Sequence, residues 1–497
     1  MIQFDNFWKN FIYDKSNPLL FNSGIFLLIF TVFILFYSFI YSRKNLRTVY
    51  VILFSLYFYY KTSGEFVILL LASIAVNFFI AIIINNSNEP WKKRFFLWSG
   101  IILNVGVLSY FKYINFIVEN LNYFFEGKFH QVELFLPIGI SFFTFQTLSY
   151  LIDVYRDTVK PTKNILDYAF YVSFFPYIVS GPIVRAKDLI PQNSKEIIIT
   201  DRDIGTGLYL IMKGLIKKAI IAQYIAQYCD IIYGMPGNYS GFENLIAMYG
   251  YTVQIYLDFS GYSDIAIGIA AIMGFKLKDN FNEPYKSINI TEFWRRWHIS
   301  LSTWLRDYLF LPLTYFYLRH SKNTKISLLN SYMWATMITM LIAGLWHGAS
   351  YKFIFWGGMH GLGLVINRIF LSTAKKKFRK KYMPDWLGWF ITFNFISILW
   401  IFFRAGNFGE AIVSIQSIIY NFDINYFMPF INARLLFSII LVISFIFILF
   451  PKNYKLNFQN KFIGLPLVVK AITFIIIVQL IIQFQSENVQ PFIYFQF

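Results

Sequence analysis

The chain has 497 residues, of which 57% are hydrophobic and only 14% charged, whereas an ordinary soluble domain carries about 25% charged residues. Its apolar residues gather into runs long enough to cross a bilayer, which takes about 20 residues per helix, so a soluble globular protein is excluded. The 44 Lys and Arg against 26 Asp and Glu give a formal charge of +18; the bias of cytoplasmic loops toward basic residues accounts for that excess, and no zinc-ligand or Arg/aromatic motif points to nucleic acid.

Residues 1–20 lack the basic and apolar regions of a cleaved signal. Ile2, Phe4, Phe7, Trp8, Phe11 and Ile12 fall near one helical face, which predicts a segment lying in the membrane interface. Phe21–Tyr41 is the first predicted span. The basic turn Ser42–Arg47 belongs in the cytoplasm, which puts the N-terminus outside. Thr48–Tyr60 and Phe66–Ile84 follow, then a basic turn with Lys92, Lys93 and Arg94, then a long run from Phe95 to Ile117. Leu134–Val154 is the next span. Tyr168–Ile183 contains Pro176, Gly181 and Pro182 and is too interrupted for a simple crossing; it reads as a re-entrant element near a pocket, because broken backbone at membrane depth needs protein or water around it. Ile204–Tyr233 and Phe242–Phe275 are long helical regions, the second with Tyr262, Ala266, Ala270 and Gly274 as a stripe suited to close helix contact. Cys229, the single cysteine, excludes an intrachain disulfide or CxxC site and reads as a packed thiol. Both flanks of Leu301–Leu318 are basic, so that segment lies in the membrane plane or dips in and returns. Tyr332–Trp346 heads outward, the cluster from Lys375 to Lys381 is cytoplasmic, and Trp386–Phe403, Leu435–Phe450 and Leu465–Ile482 are later spans. The whole is an all-α polytopic membrane protein with about 10 to 13 inserted elements.

Two histidines stand out among five. His347 ends the uncharged run Ser331–Trp346 and is followed by Gly348, Ala349 and Ser350, whose small size leaves room for a substrate. An imidazole in such a segment is a functional candidate, with a core histidine bonded to a carbonyl as the plainer alternative. That plainer reading is favoured for His360, and a solvated loop for His130 and His320. His298 closes the sequence Glu292-Phe293-Trp294-Arg295-Arg296-Trp297-His298, where an interfacial anchor competes with a chemical role and Glu292 is spaced to pair with Arg295 or Arg296. Asp258, Ser260, Tyr262 and Asp264 are able to orient a histidine or hold an ion; a helix-breaking turn is equally consistent. Histidines without a metal-ligand cluster or phosphate loop suit general-base chemistry on a hydroxyl. A basic cytoplasmic mouth would attract a thioester donor bearing phosphates, such as coenzyme A. A proton-coupled transporter using His347, Asp258 and Asp264 is the competing class, against which no inverted repeat is discernible.

The segments PIGISFFTFQTLSYLIDVYR (Pro137–Arg156), FFPYIVSGPIVRAKDLIPQ (Phe174–Gln192), YLDFSGYSDIAIGIAAIMGFKLKDNFNEPY (Tyr256–Tyr285), FWRRWHISLSTWLRDYLFLPL (Phe293–Leu313) and GLWHGASYKFIFWGGMHG (Gly344–Gly361) resemble the membrane-bound O-acyltransferase (MBOAT) family, in its bacterial polysaccharide branch typified by alginate O-acetylation. By position, the family's catalytic histidine corresponds to His347 and its second functional histidine to His298. The resemblance implies a single transmembrane domain over 1–497, with a motif core at 137–365 and C-terminal helices at 405–497. It implies a helical ring around a thin centre, where cytoplasmic and outer funnels meet. The expected activity is O-acetyl transfer in the bacterial inner membrane, with cytosolic acetyl-CoA as donor substrate and no metal. The acceptor would be a hydroxyl of an extracytoplasmic polysaccharide (alginate, peptidoglycan or another exopolysaccharide) or of a partner transferase that passes the group on. Trp346, Trp297, Arg295, Arg296, Asp258, Ser260 and Tyr262 are the residues expected to position substrates. D-alanyl transfer from a carrier protein to teichoic acid, performed by a related branch, and lysophospholipid acylation are the rival reactions.

Overall fold

A computed structural model of the chain describes residues 11–15, 18–125, 127–321, 325–373 and 383–484. Most of the interfacial segment expected at the N-terminus, and the basic cluster from Lys375 to Lys381, lie outside the described residues. Every regular element among those described is helical, as an apolar surround requires of a backbone that must satisfy its own polar groups.

By contacts the helices group into two compact units, each assembled from separate stretches of chain. The first comprises Met1–Leu215, Tyr262–Lys278 and Lys461–Gln483; the second comprises Ile216–Gly261, Asp279–Asn460 and Phe484–Phe497. In chain order the first contributes α1 (Gly24–Ile40), α2 (Lys44–Ser63), α3 (Val67–Asn86), α4 (Pro90–Phe124), α5 (Ile140–Tyr155), α6 (Ile165–Ser173), α7 (Phe175–Ile178), α8 (Ala186–Ser194) and α9 (Asp201–Leu215). Then come α10 (Gln223–Gly234), α11 (Gly241–Ile272), α12 (Ile290–Arg296), α13 (Ile299–Leu305), α14 (Leu311–Arg319), α15 (Lys325–His347), α16 (Tyr351–Thr373), α17 (Asp385–Arg404) and α18 (Phe408–Tyr420). Short α19 (Phe427–Ala433) precedes α20 (Leu435–Leu449), α21 (Lys452–Ile463) and α22 (Leu467–Phe484).

Helix α1 shows how the sequence makes these elements. Ser23 caps it, its hydroxyl accepting from the Phe26 N–H at 3.2 Å. Phe26, Phe30, Phe33 and Tyr37 recur at helical spacing and are buried. Leu28, Val32, Leu35, Phe36 and Phe39 point outward and are exposed. An apolar outer face of this extent has lipid as its natural solvent. Among the described residues six helical stretches are long and apolar enough to cross a membrane, or up to eight if two bent pairs each count as one span. One of the six, Lys44–Asn86, is divided by a 3-10 turn at Gly64–Phe66 into α2 and α3. The protein is a multi-pass membrane protein.

Several expected boundaries shift. The span expected from Leu134 begins at Ile140, because Gly139 takes a positive φ of 83° at the turn after Pro137. A Cβ there would lie 2.5 Å from the Ile178 carbonyl oxygen. The interrupted stretch around Pro176 is indeed broken, at Phe174 between α6 and α7, and it is buried throughout. The Phe175 N–H freed by the break donates to the Ser55 hydroxyl at 3.1 Å. Helix α11 runs unbroken through Gly261, so the helix-breaking turn considered for 256–264 does not form. In the first unit it passes close to α9 at Gly268, where a Cβ would meet the Gly207 carbonyl at 2.7 Å, and Ala266 and Ala270 of the anticipated stripe are buried. Between α9 and α10 the expected continuous helix is interrupted by a π-helical turn, Ile216–Ala222.

In the second unit α15 and α16 form a tight antiparallel hairpin. A Cβ on Gly344 would lie 2.2 Å from the Phe353 carbonyl oxygen, and one on Gly357 2.2 Å from that of Met340. Backbone cannot retreat as a side-chain end can, so Gly357→Ala should lower stability by about 1–3 kcal/mol. Thermal unfolding in detergent checks this, with Gly358→Ala as the control, since its Cβ meets only Leu341 Cδ2 at 3.4 Å.

Candidate active site

The α15–α16 hairpin places His347 at the last position of α15 and His360 inside α16. Gly348 is required at the bend, because a Cβ would lie 2.2 Å from the Phe353 ring. His347 is almost fully buried, its ring centred 4.9 Å from Trp346, 5.0 Å from Trp356 and 5.2 Å from Phe403. Phe403 comes from α17, so three helices fix this imidazole.

His298 reaches the same place by another route. It caps α13 in the left-handed region, φ 41° and ψ 55°, a conformation that costs a non-glycine residue about 1–3 kcal/mol and persists only where its surroundings impose it. Asn280 imposes it. The Ile299 N–H donates to the Asn280 backbone carbonyl at 2.9 Å. The Ser300 N–H and hydroxyl donate to Asn280 Oδ1 at 3.1 and 2.9 Å, and His298 Nδ1 lies 3.2 Å from the same oxygen. An oxygen receiving a backbone N–H is an acceptor, so His298 Nδ1 carries the proton and Nε2 carries the lone pair. The His298 ring meets the edge of Phe259 at 4.6 Å and lies 6.4 Å from Trp346. Trp346 therefore stands beside both histidines.

Trp297 packs behind them, 5.0 Å from Trp400. Trp400 in turn stacks on Trp356 at 5.8 Å. His360 sits inside this cage with Trp356 at 4.4 Å, and its Nδ1 accepts from the Trp294 indole N–H at 3.3 Å. A histidine so enclosed and bonded has the features of a packing residue. His130 and His320 are exposed, and Cys229 is buried.

The remaining sequence candidates separate. Asp258 forms an ion pair with Lys218, and Ser260 lies 3.2 Å from Lys217 Nζ. Tyr256 joins this pair to the histidine side, its ring 6.2 Å from Trp297 and 5.8 Å from Lys217 Nζ. Tyr262 belongs to the first unit, where its ring stacks on Phe21 at 4.9 Å. Arg295 is exposed, and Arg296 is held by Glu292 at 2.6 Å, the helical pairing anticipated. Neither arginine is shown in contact with the histidine cluster. Lys217, Lys218, Asn280 and the half-buried pair Asp230–Arg404 are polar groups that the sequence reading passed over; lysines in the apolar run IMKGLIKKAIIA were the available signal. Among the described residues no three His, Cys, Asp or Glu side chains gather as a metal site.

Burial pushes the His298 imidazole down to about 3 from its ordinary value near 6.5. The folded protein thus keeps this ring neutral, while the unfolded chain takes up a proton below pH 6.5. Stability contributed by the neutral ring is complete above that pH and falls as pH drops toward about 3. His298→Gln, which has no such proton to bind, should lose less thermal stability than the wild type between pH 7 and pH 4.5. Unfolding temperatures measured across that range decide it.

The helical architecture is that of a multi-pass membrane protein, and the family follows from comparison. Residues 96–405 match the model of the MBOAT, membrane-bound O-acyltransferase family. The chain belongs to that family. It is 37% identical over 431 residues to the peptidoglycan O-acetyltransferase of Helicobacter pylori, covering 81% of this chain and 80% of the relative. The probable alginate O-acetylase AlgI of Pseudomonas putida is 34% identical over 505 residues, covering 96% of this chain and all of the relative. The teichoic acid D-alanyltransferase of Streptococcus thermophilus is 32% identical over 292 residues, covering 54% of this chain and 68% of the relative.

Proposed function

We propose that this protein is an O-acetyltransferase of a bacterial inner membrane, with its N-terminus outside. It takes the acetyl group of cytosolic acetyl-CoA and delivers it to a hydroxyl on the other side, on a polysaccharide or on a partner transferase that passes it on. The observation that carries this reading is the buried arrangement in which Trp346 lies against both His347 and His298. Similarity to proteins named for acetylating peptidoglycan and alginate supports acetyl over other acyl groups. Similarity to the D-alanyltransferase covers less of the chain.

In this reading His347 is the general base. Its imidazole takes the proton of the acceptor hydroxyl as the oxygen attacks the thioester carbonyl. A C–O bond forms and the carbonyl π pair moves onto oxygen. When the tetrahedral intermediate collapses, the C–S bond breaks and the thiolate takes the proton from the His347 imidazolium. No metal is needed, because a thiolate leaves readily once the hydroxyl is activated. His298, held neutral by burial and anchored by Asn280, presents Nε2 as an acceptor that orients a substrate N–H or O–H. Trp346 and Trp297 wall the reacting groups from lipid.

Removing a general base costs about 100- to 10,000-fold in rate. His347→Ala should therefore abolish acetyl transfer from labelled acetyl-CoA in membranes matched for protein abundance, and His298→Ala should reduce it while leaving a residue. Undiminished transfer in His347→Ala would refute the assignment. Transfer from a D-alanyl carrier protein, with none from acetyl-CoA, would replace the donor.

A further inference from the structure

His298 owes its place to Asn280, and Asn280 belongs to a short loop, residues 279–283, whose far end is held by the C-terminal helices. The loop runs beside the stretch that carries the histidine. The Asn282 N–H donates to the Arg296 carbonyl at 2.9 Å, and the Ile299 N–H to the Asn280 carbonyl at 2.9 Å; these two bonds bracket Trp297 and His298. Glu283, at the end of the loop, is left-handed like His298, with φ 49° and ψ 56°. Among the described residues only Asp157 joins these two as a non-glycine residue of positive φ, a conformation kept only where the surroundings impose it. The turn at Glu283 sends the rings on either side of it inward. Phe281 packs 5.1 Å from Trp297 and 5.0 Å from Phe259, and Tyr285 lies 6.0 Å from Trp297. Phe259 in turn meets the His298 ring at 4.6 Å.

What imposes the turn comes from Lys286 and from the start of α21. Glu283 Oε1 lies 2.9 Å from Lys455 Nζ and 3.0 Å from Lys286 Nζ. Lys455 also donates to the Ile448 carbonyl in the last turn of α20 at 3.3 Å. Lys452 donates to Asn282 Oδ1 at 3.1 Å, and Lys286 to the Phe450 carbonyl at 2.8 Å. All of these residues belong to the second unit. A lone exposed ion pair holds little, but the Glu283 side chain is only 16% exposed and is shared by two ammoniums. Burial pushes its carboxyl up, and the bonds from Lys455 and Lys286 outweigh that and hold it below its ordinary range. Lys455 lies beyond residue 405, where the match to the family model ends. We propose that Glu283 and Lys455 are positioning residues of the transfer: their ion pair holds the turn that keeps Asn280 against His298, and so keeps the lone pair of that imidazole at Nε2. Neither residue touches the reacting atoms, and neither exchanges a proton in the cycle. This inference rests on the role given to His298 above.

The test uses the full chain in lipid nanodiscs. Acetyl transfer from acetyl-CoA is measured beside nitrogen NMR of isotope-labelled histidine, with the His298 signals assigned by their loss in His298→Gln. Lys455→Met should lower kcat about tenfold with KM for acetyl-CoA within about threefold of wild type, since a misplacement of about 1 Å made far from the chemistry costs up to about 100-fold. Glu283→Gln, which keeps the shape and removes the charge, should do the same, and Lys455→Arg should recover most of kcat. Combined with His298→Ala, Lys455→Met should add less than about twofold, because residues that act through one another are not additive; a merely structural fault would multiply the two losses. In the spectrum, wild-type His298 should be the Nδ1–H tautomer alone, and Lys455→Met should bring in the Nε2–H form. That readout does not depend on which donor the enzyme uses. If Lys455→Met does not fold, Glu283→Gln carries every arm of the test. Normal kcat in either variant, no recovery in Lys455→Arg, losses that multiply with His298→Ala, or an unchanged tautomer overturns the proposal. The two readings fail separately: His298→Ala impaired with Lys455→Met and Glu283→Gln normal removes only the positioning role. His298→Ala as active as wild type removes the role of that histidine, and this inference with it.

Discussion

The approach of two helix backbones at Gly344 and Gly357 is the contact on which the centre depends. Each glycine meets a carbonyl oxygen of the opposite helix where a Cβ would clash at 2.2 Å. No other residue allows α15 and α16 to lie so close. Their closeness turns the chain at Gly348 and sets His347 in contact with Trp356 across the hairpin. Between helices already surrounded by apolar material, packing at short range supplies the attraction that burial supplies in water. The small residues of LWHGAS and FWGGMHG thus serve the geometry of the hairpin.

A second constraint is the cost of polar groups away from water. In the second unit charges away from water are answered locally: buried Asp258 by Lys218, half-buried Asp230 by Arg404, and buried Lys352 by the Ala405 carbonyl. His298 is answered by Asn280, at the cost of an unfavourable backbone conformation. Paying strain to hold one imidazole is hard to account for by packing alone, since a residue of ordinary φ would cap α13 as well. The strain therefore weighs toward a functional reading of His298 over an interfacial anchor, which its complete burial also disfavours.

The sequence made the long apolar helices legible because a run of apolar residues has few alternatives in a bilayer. It also exposed His347 and His298, because ionisable residues are conspicuous against such runs. What it could not convey was register. A π-helical turn adds a residue to one turn, and whether it forms depends on what receives the displaced side chains; Lys217 and Lys218 acquire their meaning only from Asp258 and Ser260 across on α11. Tyr262 illustrates the same limit. It lies only two residues beyond Ser260, but successive positions on a helix point to different sides, and its ring belongs with Phe21 in the other unit. In RRWH the end of α12 leaves Arg295 exposed while Trp297 and His298 turn inward.

His298 and His360 show how a single hydrogen bond sets which ring nitrogen of a buried imidazole keeps its lone pair. His298 donates from Nδ1 to a fixed acceptor oxygen, so its lone pair is left at Nε2. His360 accepts at Nδ1 from the Trp294 indole, which can only donate, so its proton must sit at Nε2. Two imidazoles within one aromatic cluster are thereby held as opposite tautomers. A ring with its lone pair at the outer nitrogen can accept a proton or a hydrogen bond from a substrate. A ring that has already spent its lone pair on a neighbouring indole cannot do so without breaking that bond. Residue type alone made His360 and His298 comparable; the tautomer each is given by its neighbour is what divides them.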